Sequence, residues 1–98
     1  MNIRQLKLAL TVDLMNLPNS KSAVHYAKEK MAGYRSQTGG FQGLFETNNS
    51  TISDNMRLKT FALLFENFTL NLELVEDHLK NKEYLQNFYL MKNTSSEN

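Results

Sequence analysis

The chain has no cysteine and no tryptophan, one proline and four glycines in 98 residues. Without cysteine there is no disulfide, no thiolate nucleophile and no cysteine-ligated metal centre. Pro18 and the glycines Gly33, Gly39, Gly40 and Gly43 all precede residue 44, so nothing in 44–98 forbids a continuous helix. Long uncharged apolar runs are missing as well. Arg4, Lys7 and Asp13 interrupt the N-terminal segment, so neither a signal peptide nor a membrane span is expected, and the cytoplasm is the expected compartment.

Catalytic patterns are equally scarce. There is no Gly-x-Ser-x-Gly elbow, no GxGxxG, and no Gly-Lys-Ser/Thr after the glycines of 39–43. His25 and His78 are the only histidines, and neither stands in a His-Glu-x-x-His or Glu-x-x-His spacing. Glu73 and Glu76 form an acidic pair, but an open helix face does not push two carboxyl pKa values apart as acid–base chemistry requires. The expectation is a non-enzymatic protein with no catalytic residue, metal, cofactor or small-molecule substrate.

What the sequence does contain is apolar periodicity. Leu58, Phe61, Phe65, Phe68, Leu72, Val75 and Leu79 are spaced 3, 4, 3, 4, 3, 4. That is the spacing at which side chains share one face of a helix. Thr51 or Ser53 can cap its start, with Asp54 favoured near the positive end of the dipole. Leu63, Leu70 and Leu74 fall outside the stripe and give this helix a second apolar side. A helix over 52–80 would be about 43 Å long, against about 33 Å for the width of a compact domain of this size. A partner helix from a second copy resolves that mismatch, so the stripe is read as a dimer or partner interface. A strand reading competes locally, because Phe68, Leu70, Leu72 and Leu74 alternate with Thr69, Asn71 and Glu73.

In chain order, Ile3, Leu6, Leu10, Leu14 and Leu17 fit a helix face over 2–17, while Leu6, Leu8, Leu10, Val12 and Leu14 fit an alternating strand. The composition favours helix, ended by Pro18. Residues 19–33 predict a second helix, capped by Asn19 or Ser20 and closed by Gly33 in a left-handed conformation. Lys21, His25, Lys28 and Arg35 fall on one side of it. Helix, short turn and basic helix is the outline of a helix-turn-helix. Residues 35–51 are expected to be loop, with Phe41, Leu44 and Phe45 tucked onto the long helix or serving as a latch for a partner. Tyr84, Leu85, Phe88, Tyr89 and Met91 predict a short C-terminal helix with an aromatic face. Residues 93–98 are expected to form a disordered polar tail after a single helical domain spanning 1–92.

Net charge is +1, unevenly spread: residues 1–45 carry six basic and two acidic groups, and 46–98 carry five basic and eight acidic. The expected fold is therefore all-α: a helical hairpin, a long central helix and a short C-terminal helix, assembled as a dimeric bundle. The expected function is a protein-binding adaptor or inhibitor acting through apolar helix surfaces. The alternative is a dimeric nucleic-acid-binding regulator whose contacts are Lys21, His25, Lys28 and Arg35.

Overall fold

A computed structural model describes residues 3–17 and 22–93. Two helices, α1 (Ile3–Met15) and α2 (Ala23–Ala32), and a short turn of helix, α3 (Arg35–Thr38), precede four strands. The strands are β1 (Phe41–Ser53), β2 (Met56–Phe65), β3 (Phe68–Asp77) and β4 (Lys82–Lys92). They form one antiparallel meander in the order β1-β2-β3-β4. The all-α bundle is thus overturned. β2 and β3 occupy the expected central helix, β4 the expected C-terminal helix, and β1 most of the expected loop.

The helices form for local reasons. Leu6, Leu10 and Leu14 recur at i, i+4 and i+8 and are buried, as are Ala23, Ala27 and Met31 on α2. Ser22 is the N-cap of α2, its Oγ accepting from the His25 N–H at 3.1 Å. The expected caps Asn19 and Ser20, and Pro18, lie outside the described residues. Gly33 is right-handed, with φ −67°, and not the left-handed stop expected of it. The left-handed glycine is Gly39, φ 78°, where the chain leaves α3 for the sheet.

β3 is an inner strand, and its alternation builds the core. Phe68, Leu70, Leu72 and Leu74 point to the helix side, where register sets Leu70 beside Leu63 and Leu90, and Leu72 beside Phe61 and Phe88. Leu6, Leu10, Leu14, Ala27 and Met31 close this side from above. The heptad stripe is therefore split. Phe65, Phe68 and Leu72 serve the chain's own core, Phe61 is half-buried on the same side, Leu58 and Val75 stand on the opposite face, and Leu79 is exposed in the β3–β4 turn.

The turns need neither glycine nor proline because side chains and distant backbone satisfy them. At Glu66-Asn67 the Glu66 N–H donates to Gly40 O (3.0 Å) and the Asn67 N–H to Thr38 O (2.9 Å). Asn93 Nδ2 donates to Phe65 O at 2.7 Å, so Asn93 is anchored and not part of a loose tail. Residues 94–98 lie outside the described residues. At the β3–β4 turn Asp77 Oδ1 accepts from the N–H groups of Leu79 (3.1 Å) and Lys80 (3.2 Å), and Asn81 takes the left-handed conformation, φ 51°.

The sheet and the helix stripe make opposite demands on two leucines. Leu70 lies outside the stripe and is fully buried, whereas Leu79 belongs to the stripe and is exposed. Leu70→Ala is expected to destabilise by about 2–5 kcal/mol, and Leu79→Ala to stay within about 0.5 kcal/mol of wild type. Urea denaturation of the two variants measures both, and the reverse order would contradict the sheet.

Candidate interaction surfaces

Among the described residues, helices cover one side of the sheet only. On the other side the register sets out five rows across the four strands. They are Gly43–Leu64–Thr69–Met91, Phe45–Ala62–Asn71–Tyr89, Asn48–Thr60–Glu73–Asn87, Ser50–Leu58–Val75–Tyr84 and Ser53–Met56–Asp77–Lys82. Phe45 is 54% exposed, Tyr89 49% and Met91 53%. The Phe45 ring leans over Gly43, where a Cβ would stand 2.9 Å from a ring carbon, so the glycine makes room for it. Asn87 Nδ2 donates to Tyr89 Oη at 2.9 Å, and Tyr84 Oη donates to Asp77 Oδ2 at 3.3 Å. The rings are thus steadied by polar neighbours while their faces stay open to solvent.

A second apolar surface lies on the opposite side of the molecule. Leu8, Val12 and Met15 of α1 are 62%, 61% and 80% exposed. At 100° per residue they stand across the helix from Leu6, Leu10 and Leu14, which face the core. A cleft of about 310 Å³ adjoins this stripe, lined by Thr11, Leu14 and Met15 of α1 and by Leu85, Gln86, Asn87 and Phe88 of β4.

Both sheet edges are blunted. β1 carries register shifts that leave Gln42, Thr47 and Ile52 unopposed. β4 has Gln86 as an extra residue and lysines at both ends, Lys82 and Lys92. Bulges and edge lysines discourage another strand from adding to an edge. The faces, not the edges, are the surfaces available to a partner.

The sequence-derived site residues are dispersed. Of the interface stripe, Phe65, Phe68, Leu72 and Val75 are buried. Of the expected partner loop, Phe41 packs edge-on to Phe65 at 5.3 Å between ring centres, Leu44 is on the helix side and Phe45 on the open side. Among the expected nucleic-acid contacts, Lys21 lies outside the described residues, and His25 Nε2 stands 3.6 Å from Glu29. Lys28 Nζ sits 4.2 Å above the Phe41 ring and the Arg35 guanidinium lies against Gly40, so those two do meet at one corner. Glu73 and Glu76 point to opposite faces of β3 and form no acid–base pair. Tyr84, Tyr89 and Met91, expected on a helix, are instead strand residues of the open face; the signal for that face was the polar half of the β3 alternation, Thr69, Asn71 and Glu73.

Comparison with protein-family models, curated proteins and solved structures yields no match. Among the described residues no helix is long and apolar enough to cross a membrane, and no group of three or more histidine or carboxylate side chains is placed to hold a metal ion.

An ionic cluster ends the helix side of the sheet. Lys59 Nζ bonds Glu76 Oε2 at 3.0 Å, and His78 Nε2 lies 3.7 Å from Glu76 Oε1. Glu83 is directly opposite Glu76. Burial, and then the Glu76 charge, raise the Glu83 carboxyl above its ordinary value, while Lys59 and the Ala23 N–H at the start of α2 act the other way. A raised carboxyl pKa means that the ionised form is disfavoured in the folded state. The penalty is absent below the ordinary value of 4.5 and grows as pH rises through the folded-state value. Solvent near the group keeps the effect small. Glu83→Gln is therefore expected to match wild type in stability near pH 4 and to exceed it modestly at neutral pH, as read by denaturation at both. A variant less stable at neutral pH would show that the Glu83 charge is favourable.

Proposed function

We propose that this chain is a non-enzymatic adaptor or inhibitor that binds protein partners through exposed apolar surfaces. One observation carries the reading: both outer surfaces of the two-layer structure present large apolar side chains to solvent. Phe45, Tyr84, Tyr89 and Met91 do so on the open sheet face, and Leu8, Val12 and Met15 on α1. Isolated exposed apolar residues are ordinary, but sets arranged on one face mark interaction sites. Aromatic and methionine side chains are also the types enriched at protein interfaces. Two such surfaces on opposite sides suit a protein that holds two partners, or one partner that wraps around it.

The test is affinity capture from the source cell with wild type and two double variants, Phe45→Ser/Tyr89→Ser and Leu8→Ser/Val12→Ser. These positions are exposed, so circular dichroism and thermal midpoint should stay near wild type. A partner captured by wild type and lost with either double variant is the expected result. Equal capture by all three, or none by wild type, would contradict the reading.

A second reading keeps the nucleic-acid alternative, now as a monomer-borne surface without the dimerising helix. Lys28 and Arg35 converge beside Phe41, on a helical layer that also carries Arg4, Lys7 and Lys30. Phosphate binding there would weaken steeply with salt through counterion release. Fluorescence anisotropy of a labelled duplex should then show binding at low salt that Lys28→Glu/Arg35→Glu abolishes. No binding at low salt would remove this reading.

A further inference from the structure

We infer that the open sheet face takes an extended segment of a partner protein that brings a lysine or arginine to Glu73, with apolar residues on either side of it. This rests on the protein-binding reading above and adds the chemistry of the partner.

Glu73 occupies the middle row of the open face, on an inner strand, between Thr60 and Asn87. It is half-buried, and among the described residues it has no hydrogen-bond or ion-pair partner. Its own row and the rows on either side contain no basic residue. Three carboxylates near it in the sequence are engaged within the fold: Glu76 is bonded by Lys59, Glu66 accepts from the Gly40 N–H at 2.7 Å, and Asp77 accepts from the turn backbone. Glu73 is the carboxylate at the centre of this exposed face that the fold leaves unanswered.

The surroundings define what would answer it. Tyr84 and Tyr89 stand diagonally on β4, within reach of a cation held at Glu73. One row away on one side lie Phe45, Ala62 and Tyr89, and on the other Leu58 and Tyr84, with Val75 buried between them. Successive rows are two residues apart along a strand, about 6.7 Å. An extended peptide lying along the strands repeats its downward side chains at the same interval. The complementary sequence is thus apolar–x–Lys/Arg–x–apolar.

Charge also selects against other occupants. A second copy docked face to face about a two-fold through the middle row would set Glu73 against Glu73, two like charges at a desolvated centre. A nucleic acid would bring phosphates to Glu73, whose row and two neighbouring rows hold no basic residue.

The experiment is selection of a random peptide library displayed on phage against the immobilised full chain, in parallel with Glu73→Gln, Glu73→Lys and Phe45→Ser/Tyr89→Ser. Because Glu73 makes no hydrogen bond or ion pair among the described residues, its variants should keep the wild-type circular dichroism spectrum. Wild type is expected to enrich apolar–x–Lys/Arg–x–apolar sequences. A synthetic peptide of that sequence should bind Glu73→Gln roughly tenfold or more weakly, and Glu73→Lys should enrich acidic residues at the central position. Enriched peptides that lack a basic residue, or that bind Glu73→Gln as tightly as wild type, would overturn the cation inference while leaving the docking face intact. Peptides whose binding survives Phe45→Ser/Tyr89→Ser would place the docking surface elsewhere. Enrichment of nothing would overturn both.

Discussion

The structure depends on the alternation of β3. Side chains of an inner strand point to opposite faces in turn, and β3 divides them sharply: Phe68, Leu70, Leu72 and Leu74 to one side, Thr69, Asn71 and Glu73 to the other. The apolar set must be removed from water, and the two amphipathic helices that precede the sheet are the only layer described that can do it. Once α1 and α2 lie over Leu63, Leu70, Leu72 and Leu90, the described residues supply no second layer for the polar and aromatic side. The half-open sheet follows from having helices for one face only, and the exposure of Phe45, Tyr84, Tyr89 and Met91 follows from the half-open sheet.

Holding four strands in register without glycine or proline after residue 43 shifts the burden to asparagine and aspartate. Asn55, Asn67 and Asn81 each lie between two strands. At Glu66-Asn67 the turn is fixed from three directions: by Thr38 and Gly40 where the helical layer meets β1, by Glu66 on the Gly40 N–H, and by Asn93 beyond β4. This polar knot ties the helical segment to the far end of the meander, and it sits at the same end as the Phe41–Phe65 ring contact. Among the described residues no buried side-chain nitrogen or oxygen lacks a partner. The open face is therefore not a sign of a poorly satisfied fold.

The sequence shows why this sheet resembles a helix on paper. Residues facing the helices run 61, 63, 65 on β2 and 68, 70, 72, 74 on β3. The two-residue turn at Glu66-Asn67 changes the parity. Two strand steps give a spacing of 4 and the turn gives a spacing of 3, so Phe61, Phe65, Phe68 and Leu72 imitate a heptad. Leu58 and Val75 extend the imitation from the other face. The residues left over from that stripe, Leu63, Leu70 and Leu74, carry the opposite message, since alternation accounts for them and the heptad does not. The three asparagines at the strand ends were a further signal, readable only once turns without glycine are admitted. The helical start of the chain was legible from Leu6, Leu10 and Leu14 and from the spacing of Ala27 and Met31. The open face was not, because Tyr84 and Tyr89 acquire a shared surface with Glu73 only through strand pairing.

The charge asymmetry of the chain also gains a location. The helical layer carries Arg4, Lys7, Lys28, Lys30 and Arg35, whereas Glu73 and Asp77 stand on the open side of the sheet. Since the native chain has no cysteine, single cysteines placed in turn at residues 69–73 give a direct reading of which β3 side chains reach solvent. The thiol labelling rate under native conditions is expected to alternate, fast at 69, 71 and 73 and slow at 70 and 72. Fast labelling at 70 with slow labelling at 69 and 73 would restore a helical period and contradict the half-covered sheet that carries the open docking face.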